Sequence, residues 1–562
     1  MFKLNQRHDQ ISFFDTVDQL PTGVKKMLDH SWAPAFREQI FRQINERRYA
    51  VLYSDVDSRP NFPVNVWVGM EIIKWLFDYT DAELLEQFHF NLLTAYAVGQ
   101  KNLGELTLAE RTIYYNRKRL LEYEEKEGRN LLEEEFEALT DDALDQLGIN
   151  AKMQRMDSSF VGSCIKRMGR LELMVKVLQN FYRDIEEDQP RWKPVLGEYV
   201  ETEAEHIAYH LRNSEVSDHL QKVGSLLFEL HQAYAENETI SAFKSYQHIS
   251  RILLEQFRIT EDGEKTVIEV KPSKEISSQS LQNPADDTAT FRRKSGKNYQ
   301  GDLFNVTETC DPENPVQLLT DVCVEKNVVS DKTLLEERAP KIKKRTGLNE
   351  IITDAGYTGE SSEGIREEEG IRVVPTEVKG RKESSDRVSL TDFGFDGNSI
   401  VSCPQGHSPV EQIDKSETGR HIVRFDKTVC SVCPLESKCP AKRQKLFYSL
   451  SLTDRQILLA QRRQQLSKED YRRKCRLRPA IEGTISQFKR KMRNGKLRVR
   501  GLGRVRNNII LMSIGINFRR IWAYLAQKSQ SIPESLAFIV GLLLALLLMP
   551  GRKPAESGVF QR

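Results

Sequence analysis

Short apolar runs that end on an aspartate constrain this chain more than any other feature. Residues 152–159 (KMQRMDSS) read as a short strand carrying Asp157 at its end. Residues 349–353 (NEIIT) read as a buried strand that stops at Asp354, with Gly356 and Gly359 opening the loop that follows. Residues 371–374 (IRVV) are a third such run, closed by Pro375, and 302–309 and 316–324 add two more strand candidates. Helical segments lie between them. Residues 331–344 read as one helix, and 165–257 carry apolar residues at helical spacing (Leu171, Met174, Val175, Leu178, Phe181). Strands interleaved with helices predict an α/β sheet domain. Carboxylates at strand ends protrude at the rim of such a sheet, where α/β enzymes place their chemistry.

The region before Asp157 reads differently. A proline-marked loop (Arg59 to Pro63) precedes an apolar helix over 64–78. Thr80-x-x-Glu83 and Thr107-x-x-Glu110 have the capping-box pattern, each ahead of a helix, the second running to about Glu125. That last helix carries Arg111, Arg117, Lys118 and Arg119 beside Tyr114 and Tyr115. The residues suit a helix-turn-helix-like DNA-binding module and a plain helical bundle with solvated cations equally well. Residues 258–300, marked by Pro272, Ser277, Ser278, Pro284 and Gly296, read as linker.

The chain has 562 residues, too many for one ordinary core, so several domains are expected. A hydrophobic fraction of 39% and a charged fraction of 29% fit a globular, soluble protein. Its net charge of +2 hides a segregation. Residues 123–145 are acidic, whereas 472–506 are dense in Lys and Arg with Glu482 as their only acid. Such asymmetry points to a polyanionic partner. The N-terminus lacks the apolar run of a secretory signal. The apolar run 536–549 is shorter than the roughly 20 residues of a spanning helix, and a packed helix is expected there. A Walker-type phosphate loop and a Ser or Cys paired with His are both missing, which argues against ATP-driven and acyl-transfer chemistry.

Strand-end acids and a basic segment have a common use in phosphoryl transfer on DNA. Charge builds on the attacking and the leaving oxygen, and two divalent ions about 3.5–4 Å apart neutralise both. Hard ions take oxygen ligands and keep several waters, so a few carboxylates suffice. Taken singly, an Asp at a strand end is more often a turn former. Glu482 carries more weight. If 479–493 is helical, Pro479 sits at its start, Glu482 in its first turn and Lys489 about two turns further on the same face. The surrounding cations are too many for one salt bridge, and they suit phosphate backbones.

A second cluster is built from thiols. Cys403-Pro-Gln-Gly-His407 is followed by Cys430-x2-Cys433 and by Cys439. Four thiolates predict a structural tetrahedral zinc site, with His407 as a spectator, against the plainer reading of free thiols in a reducing compartment. Cys164, Cys310 and Cys323 read as small buried apolar residues.

The spacing Arg478-x3-Glu482-x6-Lys489 resembles the final-acid motif of DDE transposases of bacterial insertion sequences. The family places a tyrosine three residues before that arginine. This chain has Cys475 there, with Tyr471 nearby but out of register. MDSS around Asp157 and TDAGYTG around Asp354 look like the first and second acid motifs, in the family's order. The helical region 45–125 is similar to the N-terminal domain of one group of these enzymes, so the resemblance covers most of 45–520.

The resemblance implies an α/β ribonuclease H-like catalytic domain interrupted by a helical insertion and a Cys-rich insertion, and preceded by an all-α N-terminal domain. The expected division is a lead-in (1–45), a helical DNA-binding domain (46–127), the first part of the catalytic core (150–164), the helical insertion (165–260), the continued core (285–380), the Cys-rich insertion (395–445), the core's end with the basic helix (455–525) and an apolar tail (530–562). It implies that Asp157, Asp354 and Glu482 bind Mg2+ or Mn2+ and cut and join DNA. Arg478 and Lys489 would hold DNA near the reacting phosphate, with Arg490, Lys491, Arg493 and Arg117 as further contacts. The implied partners are double-stranded DNA, as terminal inverted repeats and target, and a second copy of the chain in a synaptic complex. The implied setting is the bacterial cytoplasm at the nucleoid, without a membrane partner. A metal-dependent nuclease on the same fold, and a DNA-binding derivative without catalysis, are the alternatives.

Overall fold

Alternation along one strand organises the central sheet. In β1 (Met153–Val161), Met156 points to one face and joins a core with Leu335, Ala339 and Ile342 from the helix Asp331–Thr346. Arg155 and Asp157 have the opposite parity and face the helix Ala480–Arg490. The computed structural model describes residues 1–10, 15–56, 59–209, 211–262, 265–377, 386–415 and 418–530. The apolar run 536–549 lies outside them.

The chain divides into two units. The larger comprises Asn150–Asn314 and Leu319–Ile510. After β1 it runs through helices between Arg170 and Gln256, which enclose a core of their own around Val175, Phe181, Leu227 and Ile249. A hairpin of β2 (Phe257–Asp262) and β3 (Lys265–Val270) follows, then β4 (Thr290–Lys294) and the long β5 (Lys297–Thr309). The linker expected over 258–300 is therefore corrected to two hairpins. Its Ser and Gly include a tight turn, with Ser295 at φ 51° and Gly296 at φ 77° between the paired Lys294 and Lys297.

β5 returns antiparallel to β1, and β6 (Leu319–Lys326) pairs antiparallel on the far side of β5. On the other side of β1 come β7 (Glu350–Thr353) and β8 (Arg372–Pro375), both parallel. The order is thus β6–β5–β1–β7–β8, with β4 continuing the edge beside the first residues of β5. The helix Asp331–Thr346 bridges β6 to β7 and runs through Pro340.

The Cys-rich segment folds into small antiparallel sheets. β9 (Gly394–Asp396) pairs with β10 (Ser399–Ser402), and β11 (Glu411–Lys415), β12 (Arg420–Asp426), β13 (Lys442–Arg443) and β14 (Phe447–Thr453) form a sheet in the order β11–β12–β14–β13. Their core includes Val423, Phe425, Tyr448 and Leu450.

The smaller unit comprises Met1–Ile149, Pro315–Leu318 and the chain from Leu511. Its centre is the helix Val64–Phe77, rich in apolar residues and buried along nearly its whole length. The lead-in belongs to this unit, with Phe36, Ile40 and Phe41 buried. So does the later part of the helix Leu502–Gln530, whose Phe518 meets Phe36 edge-on at 5.2 Å. Thr80 and Glu83 form the expected capping box. Thr107 does not cap: its helix, Glu110–Glu127, begins after Ala109 with no side-chain cap.

Arg117 calls for a further correction. Its guanidinium donates to both carboxylate oxygens of Glu71, at 2.8 and 3.0 Å, and to both of Asp81, at 2.9 and 2.7 Å. Burial alone would raise the Asp81 carboxyl, but Arg117 and Lys74 hold it well below its usual range. A guanidinium saturated by two carboxylates is an internal tie, not the surface DNA contact expected of it. Arg111, Lys118 and Arg119 on the same helix are exposed. Cys164 is exposed too, contrary to expectation, whereas Cys310 and Cys323 are buried.

Candidate active site

Register decides which acids meet. β1 and β7 run parallel, with Gln154 opposite Ile351 and Arg155 opposite Ile352. Two residues further along each chain stand Asp157 and Asp354; Asp354 lies just past the end of β7, as expected, whereas Asp157 is not at a strand end but in the middle of β1, because β5 pairs with β1 as far as Val161. Asp354 leaves its strand as the cap of a one-turn helix, Ala355–Tyr357, and accepts the Gly356 N–H at 2.6 Å. The Tyr357 ring is fully buried beneath, and its hydroxyl accepts a hydrogen bond from Asn305 Nδ2 at 2.7 Å. Burial, then the charges of Asp331, Asp157 and Asp354, push the Tyr357 hydroxyl well above its ordinary pKa.

Asp331 is the acid that the sequence does not single out. It is the first residue of its helix, where an acid is an ordinary complement to the helix dipole. The fold brings its Oδ1 to 2.6 Å from Ser158 Oγ, beside Asp157. A Cβ at Gly356 would lie 2.7 Å from Asp354 Oδ1 and 2.9 Å from Asp331 Oδ2, so both carboxylates approach this glycine closely. The pattern Ser-Asp-x-Thr, a capped helix start after β6, is the only local signal of its place.

Glu482 arrives from the opposite side, and its position has a clear cause. Arg155 on β1 and Glu308 on β5 are cross-strand partners and form a buried ion pair at 2.7 Å. Glu308 Oε2 accepts from Thr484 Oγ1 at 2.7 Å, and Arg155 Nη1 donates to the Leu477 carbonyl at 2.6 Å. Phe488 packs on Phe304 of β5, both fully buried. These contacts hold the first turn of Ala480–Arg490 over β1. Arg478 then spans the acids: Nη2 donates to Asp157 Oδ2 at 3.0 Å and Nη1 to Glu482 Oε1 at 3.1 Å. Burial raises the Asp157 carboxyl to about 6; Arg478 and the Ser158 N–H work against that rise, while Asp354 and Asp331 add to it.

The structure thus brings Asp331 against Ser158 and beside Asp354, and ties Glu482 to Asp157 through Arg478. Among the described residues, no three His, Cys, Asp or Glu side chains already stand at metal-ligand spacing. The donor set fits a hard divalent ion, since all four groups are carboxylates. Glu482 has a side chain 65% exposed and can turn toward Asp157.

The basic residues continue from this helix. Lys489, Arg490 and Arg493 are exposed and Lys491 is half-buried. Asn494 and Gly495, at φ 52° and 74°, make a tight turn between Arg493 and Lys496. Gly162 N–H, just past β1, donates to the Gly495 carbonyl at 2.7 Å. A Cβ at Gly162 would lie 2.8 Å from Lys496 Cγ, so the approach requires glycine. Tyr471, out of register with the tyrosine of the resembled motif, is a buried anchor that donates to the Pro375 carbonyl at 3.0 Å.

Cys403, Cys430, Cys433 and Cys439 line one small cavity together with His407. Burial first, then the charges of Cys439, Cys403 and Cys433, push the Cys430 thiol up to about 11. The four thiols thus share one cavity, although among the described residues no three of them, with or without His407, already stand at metal-ligand spacing.

Residues 402–522 match a protein family described as the transposase DDE domain. The match takes in Arg478, Glu482 and Lys489 and leaves Asp157 and Asp354 outside it. No curated protein and no solved structure matches the chain.

Proposed function

We propose that this chain, which carries a DDE transposase domain, cuts and joins DNA at the ends of an insertion sequence, with Asp157, Asp354 and Glu482 as its metal-binding acids. One observation carries the reading. Arg478, inside the segment that matches the family, bonds through one guanidinium both to Glu482 and to Asp157, some 320 residues earlier in the chain. Two acids far apart in sequence are thereby tied to one guanidinium, which supports the reading. The sheet order supports a ribonuclease H-like core: a central β1 with antiparallel strands on one side and parallel strands on the other.

Magnesium or manganese, held as a pair by these carboxylates, would supply charge neutralisation at the phosphate and a more acidic attacking hydroxyl. The chain's own residues do the rest. Asp157 and Asp354 present oxygens from adjacent strands, and Glu482 does so from the facing helix. Arg478 steadies Asp157 and Glu482 before DNA arrives. Asp331 fixes Ser158 beside Asp157. Lys489, Arg490, Lys491 and Arg493 grip the phosphate backbone, and the exposed Arg111, Lys118 and Arg119 of the helical unit add a second grip on the inverted repeat. Two copies of the chain would hold two ends in synapsis. Zinc on Cys403, Cys430, Cys433 and Cys439 would be structural.

Single Asp157→Ala, Asp354→Ala and Glu482→Ala variants should lose metal-dependent DNA cleavage and keep DNA binding in a gel-shift assay. Cleavage that survives one substitution removes that residue from the triad. Joining of a 3′-hydroxyl end into a plasmid is expected of a transposase; cleavage without joining would mark a nuclease instead.

A further inference from the structure

A histidine occupies a core position of the Cys-rich sheet, and both of its ring nitrogens meet carboxylates. The strand β12 alternates: His421, Val423 and Phe425 are buried, while Arg420 and Asp426 are exposed. Val423 and Phe425 join Leu450, Leu452 and Ile457 in the core of the segment. His421, 8% exposed, takes the first inward position of the strand. Its Nδ1 lies 2.7 Å from Oδ1 of Asp414, which sits directly opposite on β11. Its Nε2 lies 2.6 Å from Oδ1 of Asp454, the first residue of the helix Asp454–Ser467. Asp454 is itself set in place. Its N–H donates to the Gly419 carbonyl at 3.1 Å, and a Cβ at Gly419, where φ is 55°, would lie 2.6 Å from Asp454 Oδ2. One ring thus joins two strands and the start of a helix.

An ionised carboxylate only accepts hydrogen bonds, and a neutral imidazole donates only one. Two carboxylate oxygens at these distances therefore call for a ring protonated on both nitrogens. We propose that His421 is a proton-operated clamp: as an imidazolium it fastens the start of the helix Asp454–Ser467 to the β11–β12 hairpin, and on losing a proton it releases one of the two contacts. The neutral ring sets a nitrogen lone pair against a carboxylate oxygen, and that contact turns repulsive. Among the described residues, Asp414 and Asp454 are the charged groups set against the ring. Lys415 and Arg420 pair with each other next to it but have the opposite parity, β14 offers Leu452, and Arg455 of the helix is exposed. The hydrogen bonds of Asp454 and Asp414 outweigh burial and raise the imidazole above the ordinary histidine pKa. The stabilisation is whole below the unfolded-chain value of about 6.5 and is lost as pH rises through the higher folded-state midpoint. Opening is local. Near the other end of the helix, Gln464 donates to the Thr391 and Phe393 carbonyls at 2.8 and 2.6 Å, so that end stays attached.

The full chain labelled with carbon-13 histidine tests this by nuclear magnetic resonance, the His421 signal being the one missing from His421→Gln. Its midpoint should lie above the ordinary value of about 6.5. Asp414→Asn and Asp454→Asn should each lower that midpoint by about 1 pH unit. A midpoint at or below the ordinary value overturns the proposal, as does one that neither substitution lowers. If His421→Gln does not fold, the signal that both aspartate substitutions move identifies the ring, and a spectrum in which they move no histidine signal overturns the clamp. Hydrogen exchange, read peptide by peptide, checks the mechanical part. At about pH 6, where the ring is charged, His421→Gln should lose about tenfold protection in β11, β12 and the first turn of the helix, with the Gln464 end unchanged. Above the measured midpoint the substituted and unaltered chains should exchange alike. A difference that persists there would make His421 a packing residue only and overturn the proposal.

Discussion

At the residue scale, the molecule holds more carboxylate in low-dielectric surroundings than its core requires. Asp302 is the extreme case: 1% exposed, with neither oxygen hydrogen-bonded. Burial, then the charge of Asp286, raises its carboxyl to about 8 against the pull of Arg506. The unfolded chain releases this proton near pH 4, at about the ordinary aspartate value. From about pH 4 to 8 the folded chain binds more protons than the unfolded one, so this group lowers stability as pH rises through that window. Asp302→Asn should therefore be more stable than the unaltered chain by roughly a few kcal/mol at pH 8 and little different at pH 4. Urea unfolding at the two pH values checks it; an equal difference at both would contradict the assignment. Asp331→Asn should slow cleavage at least about tenfold with DNA binding intact, as expected for a group that positions Ser158 beside the acids. A cleavage assay on bound DNA reads it, and an unchanged rate would place Asp331 outside the machinery.

At the scale of elements, the helix carrying Glu482 depends on the buried set Arg155, Glu308 and Thr484. Glu308→Gln would leave the Arg155 guanidinium buried and unpaired, which costs about 3–5 kcal/mol. Thermal unfolding should show the loss, and cleavage should fall with it; a neutral variant would mean that the helix is held by Phe488 and Ile481 alone. Ser295→Gly should stabilise the β4–β5 hairpin by about 1 kcal/mol, since φ 51° suits glycine. Much of this level was legible in the chain itself. NEIIT and IRVV became β7 and β8 because short β-branched runs bounded by turns have few other outcomes. Residues 258–300 were misleading because the Pro, Ser and Gly of tight hairpin turns look like those of a linker. Asp331 was hidden because nothing at a helix start announces which strand end will lie beside it. The internal role of Arg117 was hidden for the same reason: Glu71 and Asp81 reach it only in the folded chain.

At the scale of the whole molecule, charge segregation is the property that the fold preserves. Most Lys and Arg side chains between Arg472 and Arg506 stay exposed, with Glu482 as the single acid among them, bonded to Arg478. Replacing Arg490 and Arg493 together by Gln should lower the salt-dependence slope of DNA binding by about 2, roughly 0.9 for each phosphate that is no longer neutralised. A slope unchanged by both would move the DNA grip elsewhere. The central claim is that three carboxylates from distant parts of the chain hold divalent ions at one sheet edge. Manganese binding, counted by electron paramagnetic resonance, tests it most directly. Each of Asp157→Ala, Asp354→Ala and Glu482→Ala should bind less manganese than the unaltered chain while keeping its fold, and undiminished binding in any one of them would contradict the account.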